Sequence, residues 1–125
     1  MKLHGQRWRY RVGNAEVCVD NAFSWWGWAQ ERWLINDEVV RSTAGWFAFR
    51  RSFSEPWLTP LGDGMLAADL RAAGVGVVCE VTLDGQPVPH DALFETSWHG
   101  RGSWPPEEAW EEVERFAIFG GARPG

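Results

Sequence analysis

Long hydrophobic runs, net positive charge and cysteines are all scarce in this sequence of 125 residues. No stretch approaches the roughly 18 consecutive apolar residues of a membrane span, and no apolar segment of the signal-peptide type follows residues 1–5. The formal net charge of −5 works against binding to nucleic acid or to anionic membranes. These features predict a cytoplasmic location, no nucleic-acid partner and no membrane partner.

Catalytic and metal-binding motifs are absent as well. No glycine-rich phosphate loop precedes a helix, and no nucleophile elbow is present. His4, His90 and His99 are scattered without ligand spacing, while Cys18 and Cys79 fall in predicted strands and are expected to be reduced thiols. We therefore predict a protein that is not an enzyme and holds neither metal nor cofactor. An enzyme ranks third among the alternatives, and a histidine beside a carboxylate in one pocket would favour it.

The main local pattern is a two-residue alternation interrupted by tight turns. In residues 6–12 an apolar row alternates with a row of arginines (Trp8, Tyr10 and Val12 against Arg7, Arg9 and Arg11). Hairpin turn pairs follow at residues 13–14, 36–37 and 84–85. About eight short strands of this kind predict a mainly β fold, with residues 1–102 forming an antiparallel β-sandwich or an open barrel.

Residues 103–121 predict one C-terminal α-helix that packs on the same single domain. Prolines 105 and 106 suit a first helical turn, and four apolar residues recur at helical spacing (Trp110, Val113, Phe116 and Ala117). Five glutamates occupy the opposite face and carry most of the net charge. These glutamates are expected to meet the arginine row of residues 7–11 within the monomer or across a dimer, which leaves a homodimer open.

Ten tryptophans are the main anomaly of the composition. Trp8, Trp33 and Trp110 belong to periodic rows and are predicted to fill the core. Residues 23–28 break the period, and adjacent residues of a strand point to opposite faces, so Trp25 and Trp26 cannot both enter one core. The predicted contact surface consists of five aromatic residues (Phe23, Trp25, Trp26, Trp28 and Trp57). The alternative is a loop that its own rings pin over the core.

The leading functional hypothesis is a non-enzymatic binding or protein-interaction domain that uses this aromatic surface on an unknown protein partner. The alternative is a β domain that binds a small apolar ligand or a carbohydrate in a cavity between sheets or at a barrel mouth. Glu31 and Glu80 lie in strands with an apolar opposite face and could point into such a cavity, although solvent-facing positions are the favoured interpretation.

Three segments carry a resemblance to a known family: residues 33–40 (WLINDEVV), 45–49 (GWFAF) and 80–88 (EVTLDGQPV). Together they resemble the repeat unit of Fas apoptosis inhibitory molecule, in which a strand ends in a short turn, a Trp-x-Phe strand follows, and a later strand ends in a similar turn. The resemblance implies a compact antiparallel β-sandwich that acts as a non-enzymatic interaction module. Residues 25–28, the proline-rich stretch 55–64 and the predicted helix depart from that pattern.

Overall fold

The computed structural model describes the backbone of residues 1–46, 57–61, 64–73 and 76–116, and the side chains of these except 57–61, 71–73 and 76. This part of the chain contains ten strands: β1 Lys2–Val12, β2 Ala15–Phe23, β3 Trp28–Ile35, β4 Glu38–Trp46, β5 Trp57–Leu61, β6 Gly64–Ala73, β7 Gly76–Leu83, β8 Gln86–Val88, β9 Ala92–His99 and β10 Glu111–Val113. The mainly β prediction is confirmed. The predicted strand over residues 46–54 lies largely outside the described residues.

The strands form two antiparallel sheets. The first has six strands in the order β10-β9-β1-β2-β3-β4, and the second has four in the order β5-β6-β7-β8. Consecutive strands β1 to β4 are joined by short turns, so this half of the larger sheet is a simple meander. Turns stand at residues 13–14, 36–37 and 84–85, as the turn chemistry predicts.

The two sheets share one hydrophobic core. The larger sheet contributes Trp8, Tyr10, Val12, Val17, Val19, Trp33 and Leu93, and the smaller contributes Leu66, Ala68, Leu70, Cys79 and Val81. We call the side of the larger sheet that carries Trp8 and Trp33 its core face. The predicted core positions of Trp8 and Trp33 are confirmed. Trp110, although only 8% exposed, does not belong to this core and lies against Arg7 on the other face of the larger sheet.

The predicted C-terminal helix is wrong for the described residues 103–116. One turn of 3-10 helix, Glu107–Ala109, is followed by extended backbone at Trp110 and by β10, which pairs with β9. The physical reason is that the apolar residues serve opposite faces of the sheet. Trp110 lies 4.5 Å from the Arg7 guanidinium on the outer face, whereas Phe116 packs at 5.0 Å against Trp8 in the core. A helix would present both to one face, and residues 117–121 lie outside the described residues.

The segment of residues 100–110 covers part of the outer face of the larger sheet. Gln30 of β3 donates a hydrogen bond to the Ser103 carbonyl at 2.7 Å and accepts one from the Gly102 amide at 2.9 Å. Glu107 reaches Arg7 of β1 at 2.8 Å, so a glutamate of this segment meets the arginine row within the monomer, as predicted. This covering segment explains why Cys18, on the same face, is buried.

Candidate binding surface

The turn between β2 and β3, residues 24–27, presents two of the predicted contact residues. Ser24 is buried, and its hydroxyl accepts hydrogen bonds from the amides of Trp26 at 3.3 Å and Trp28 at 3.2 Å. Its own amide donates to the Trp28 carbonyl at 2.9 Å. Gly27 has φ of 104°, a conformation that favours glycine. Because these bonds fix the backbone, the tryptophans project from an ordered turn.

Both tryptophans of this turn are exposed. Trp25 is 66% exposed and Trp26 is 79% exposed, the highest values among the exposed large hydrophobic residues of the described chain. We call these two residues the tryptophan tip. Since a fully extended backbone would send them to opposite faces, the turn is what allows both to reach solvent.

The side chains behind the tip form an aromatic base. Phe23 is 6% exposed, and its ring lies 5.5 Å from the Trp25 ring and 5.5 Å from the imidazole of His4. His4 also contacts Trp25 at 5.9 Å. Burial, and then the charge of Lys2, lower the pKa of His4 below its ordinary value. Phe23 was predicted as a contact residue, and its burial gives it a supporting position beneath Trp25.

Trp28 belongs to a second aromatic group on the outer face. Its ring lies 5.2 Å from that of Trp46, and the guanidinium of Arg101 stands 5.1 Å from Trp28 and 4.9 Å from Trp46. The Trp28 indole also donates to Gln30 at 2.7 Å, which ties it to the covering segment. Trp46 is 45% exposed. The group therefore extends the apolar surface from the tip to the end of β4.

Trp57, the fifth predicted contact residue, begins β5 at an edge of the four-stranded sheet, whereas the other four belong to the six-stranded sheet or its turn. Its side chain lies outside the described part of the chain. Its role at the surface stays a prediction.

A charged network on the outer face was missed at the level of sequence. Asp20 is fully buried and accepts hydrogen bonds from Arg7 at 2.6 and 2.8 Å and from Arg32 at 2.8 Å. Glu107 joins both arginines, at 2.8 Å to Arg7 and 3.5 Å to Arg32. Two cations thus balance two anions, and the network holds the covering segment on the sheet.

The same network shifts proton affinities in the expected directions. The hydrogen bond from Arg7 lowers the pKa of Glu107. Burial alone would lower the pKa of Arg7, but its hydrogen bonds to Asp20 and Glu107 outweigh burial and raise it. A signal for one of these pairs exists in the sequence. Once the turn at residues 13–14 is fixed, the β1–β2 register places Arg7 opposite Asp20.

A polar row crosses the core face between the tip and the hydrophobic core. Gln6, Asn21, Glu31 and Thr43 are directly opposite one another on successive strands β1 to β4. The favoured solvent-facing interpretation of Glu31 is wrong, because Glu31 is only 5% exposed. Thr43 donates a hydrogen bond to one carboxylate oxygen at 2.8 Å, and the other has no hydrogen-bond partner among the described residues. Burial raises the pKa of Glu31 to about 7.

A cavity of about 440 Å³ opens between the two sheets. Tyr10 lines it from the larger sheet, and Cys79, Val81 and Val88 line it from the smaller one. The Tyr10 hydroxyl lies 3.4 Å from the Cys79 carbonyl. His90 and Glu80 also line this cavity, and both are exposed.

Two features of the described residues bear on reactive chemistry, namely the state of the two thiols and the grouping of the metal-ligating side chains. Cys18 and Cys79 are free and buried, and burial raises the pKa of each thiol to about 12, which disfavours the reactive thiolate. Within the described ranges, no three His, Cys, Asp or Glu side chains are grouped to hold a metal ion. No helix among these residues has the length and apolar character to cross a bilayer.

Comparison of the chain with family models, with curated proteins and with solved structures gives no significant match.

Proposed function

We propose that this protein is a non-enzymatic binding domain, built as an antiparallel β-sandwich, that contacts its partner through the tryptophan tip. The exposure of Trp25 and Trp26 on an ordered turn is the observation that carries the proposal. The resemblance to the repeat of Fas apoptosis inhibitory molecule points the same way, toward a non-enzymatic interaction module.

The energetic argument rests on preorganisation. Large aromatic rings remove much apolar area from water when a partner covers them, at about 25 cal/mol per Å². Ordering a loop on binding normally opposes association. Because the Ser24 hydroxyl already fixes the turn, little of that cost remains for the tip.

A stability comparison tests whether the tip serves binding or folding. Trp26→Ala is expected to change the free energy of unfolding by less than about 0.5 kcal/mol, since its ring is mostly in solvent. Trp33→Ala, the matched core variant at 1% exposure, should cost about 3–5 kcal/mol. Urea unfolding measures both. A loss of several kcal/mol for Trp26→Ala would assign the ring to the fold and remove the proposal.

Photo-cross-linking then tests for a partner. A photoreactive benzoylphenylalanine at position 26 should give a discrete cross-linked product in cells, and the product should disappear when Trp25→Ala is added. The same group at exposed Gln86 of β8 is the control for random collisions. Identical products from positions 26 and 86 would contradict a specific protein partner at the tip. No product from position 26, together with no binding of the tip to lipid vesicles, would contradict binding at the tip altogether.

The cavity between the sheets favours a second candidate, a small-ligand or carbohydrate-binding domain. A volume of about 440 Å³ falls within the usual range of small-molecule sites. A saturable change in tryptophan fluorescence with fatty acids or sugars is expected if it is such a site. Val88→Phe, which fills the cavity, should abolish the change, whereas Trp26→Ala should leave it intact. No response to either ligand class would exclude both from the cavity.

One observation supports the enzymatic alternative, namely that His90 and Glu80 line the same cavity. A histidine and a carboxylate at one pocket could act as a base and its orienting group. If they do, a turnover found with any substrate panel should be lost in His90→Ala and kept in His99→Ala. The cavity residues otherwise include two buried groups of low reactivity, Tyr10 and Cys79, because burial raises the pKa of both.

A further inference from the structure

The tryptophan tip stands at an end of the larger sheet where the described residues with ionisable side chains are all of the basic types Lys, Arg and His. Lys2 and His99 face each other across β1 and β9, next to His4, which contacts Trp25. Arg101 flanks the tip on the outer face through Trp28. Lys2, His99 and Arg101 are exposed.

On the strands, the described acidic residues occur only at a distance of several residues from the tip. The cross-strand rows that pass through Lys2, Leu3, His4 and Gly5 contain neither Asp nor Glu, and the described turn residues 24–27 and 100–103 contain none. The first acidic side chains appear in the rows of Gln6 and Arg7. The net charge of −5 therefore does not describe this end of the molecule.

We propose that the tip docks on an anionic lipid surface, with Trp25 and Trp26 at headgroup depth and Lys2 and Arg101 against lipid phosphates. This inference rests on the proposed binding function and names the partner of the same surface. It replaces the expectation of no membrane partner, which followed from the net charge and from the lack of a long apolar run. Indole rings favour the membrane interface, and juxtamembrane Lys and Arg are attracted to anionic lipids.

The shape of the tip favours a membrane over a protein partner. A stable protein interface buries about 800 Å² on each side around a central anchor. Two adjacent rings on a single turn form a small projecting feature instead. The cavity of about 440 Å³ does not enlarge this surface, because other residues line it. Shallow insertion needs only a few side chains when nearby cations supply the rest of the attraction.

Co-sedimentation of the full chain with vesicles tests the inference. Binding is expected to phosphatidylcholine vesicles that contain about one quarter phosphatidylserine, and it should weaken as salt rises from about 0.1 to 0.5 M. Lys2→Gln should lower the partition coefficient about fivefold. Arg11→Gln, at the far end of the same strand and 62% exposed in its side chain, is the matched charge control and should leave it unchanged.

The aromatic part is tested in the same assay. Replacing both Trp25 and Trp26 with Ala should lower partitioning at least about tenfold. Replacing Val39 and Val40 with Ser, each 48% exposed on β4, controls for loss of apolar surface. Equal binding to pure phosphatidylcholine, no binding, or equal losses in test and control variants would overturn the inference. A tip-specific protein cross-link without vesicle binding would overturn it and leave the proposed function standing.

Discussion

The buried carboxylate of Glu31 makes stability depend on pH in a calculable way. Burial raises its pKa from 4.5 to about 7 in the folded protein. The folded state therefore holds a proton that the unfolded chain releases at lower pH. Stability is highest below the unfolded pKa, falls as pH rises from 4.5 to about 7, and then stays low.

The magnitude follows from the size of the shift. About 2.5 pKa units correspond to roughly 3 kcal/mol, of which about 2.5 kcal/mol is lost between pH 5 and pH 8. Glu31→Gln removes this dependence, because an amide has similar size and does not ionise. The unfolding free energy of the variant, measured relative to that of the wild type, should therefore rise by about 2.5 kcal/mol from pH 5 to pH 8.

Urea unfolding at pH 5 and pH 8 measures the difference, and other titrating groups cancel between variant and wild type. Glu38→Gln, on the exposed strand β4, controls for the loss of one negative charge. If the stability difference between Glu31→Gln and the wild type is the same at both pH values, within about 0.5 kcal/mol, then Glu31 is solvated and the argument fails.

Two further substitutions test the outer face. Arg7→Met leaves fully buried Asp20 with one arginine and should cost about 3–5 kcal/mol of unfolding free energy. Arg11→Met, the control with a largely exposed side chain, should cost under about 1 kcal/mol. Similar small losses in both variants would show that the network does not stabilise the fold. Gly5→Ala places a Cβ 2.6 Å from the Trp98 ring and should cost about 1–3 kcal/mol by thermal unfolding, so an unchanged midpoint would show that the ring moves freely aside.

The hairpins could be predicted because their turns are set by local chemistry. Asn36, Asp37 and Asp84 adopt positive φ angles of 49°, 67° and 51°, which Asn and Asp tolerate better than other residues. The first strand was predicted to begin at residue 6, yet β1 begins at Lys2, because pairing with β9 orders the additional residues. That pairing joins distant segments and leaves no local signal.

The covering segment and the burial of Glu31 could not be predicted for a related reason. Alternation identifies the two faces of a strand, but it does not say what covers each face. Asp20 and Cys18 share a polar row, which suggests solvent, yet residues 100–110 cover that row. Likewise Trp110 and Phe116 have helical spacing, but spacing alone cannot show that they serve opposite faces.

The cross-strand register is a better guide to surface charge than the composition of a segment. The predicted helix would place all five glutamates of its segment on one face, but Glu107 is paired with Arg7 and Arg32, and Glu111 lies opposite Glu95 on β9. Glu111 lies in the cross-strand row of Gln6, and Glu107 contacts Arg7 in the next row away from the tip. These are the rows in which the described acidic residues begin. Among the described residues the sheet places its acids away from the tip, so the tip of an acidic protein is flanked by basic and aromatic side chains. This local charge, and not the net charge, is what the proposed docking on anionic lipid rests on.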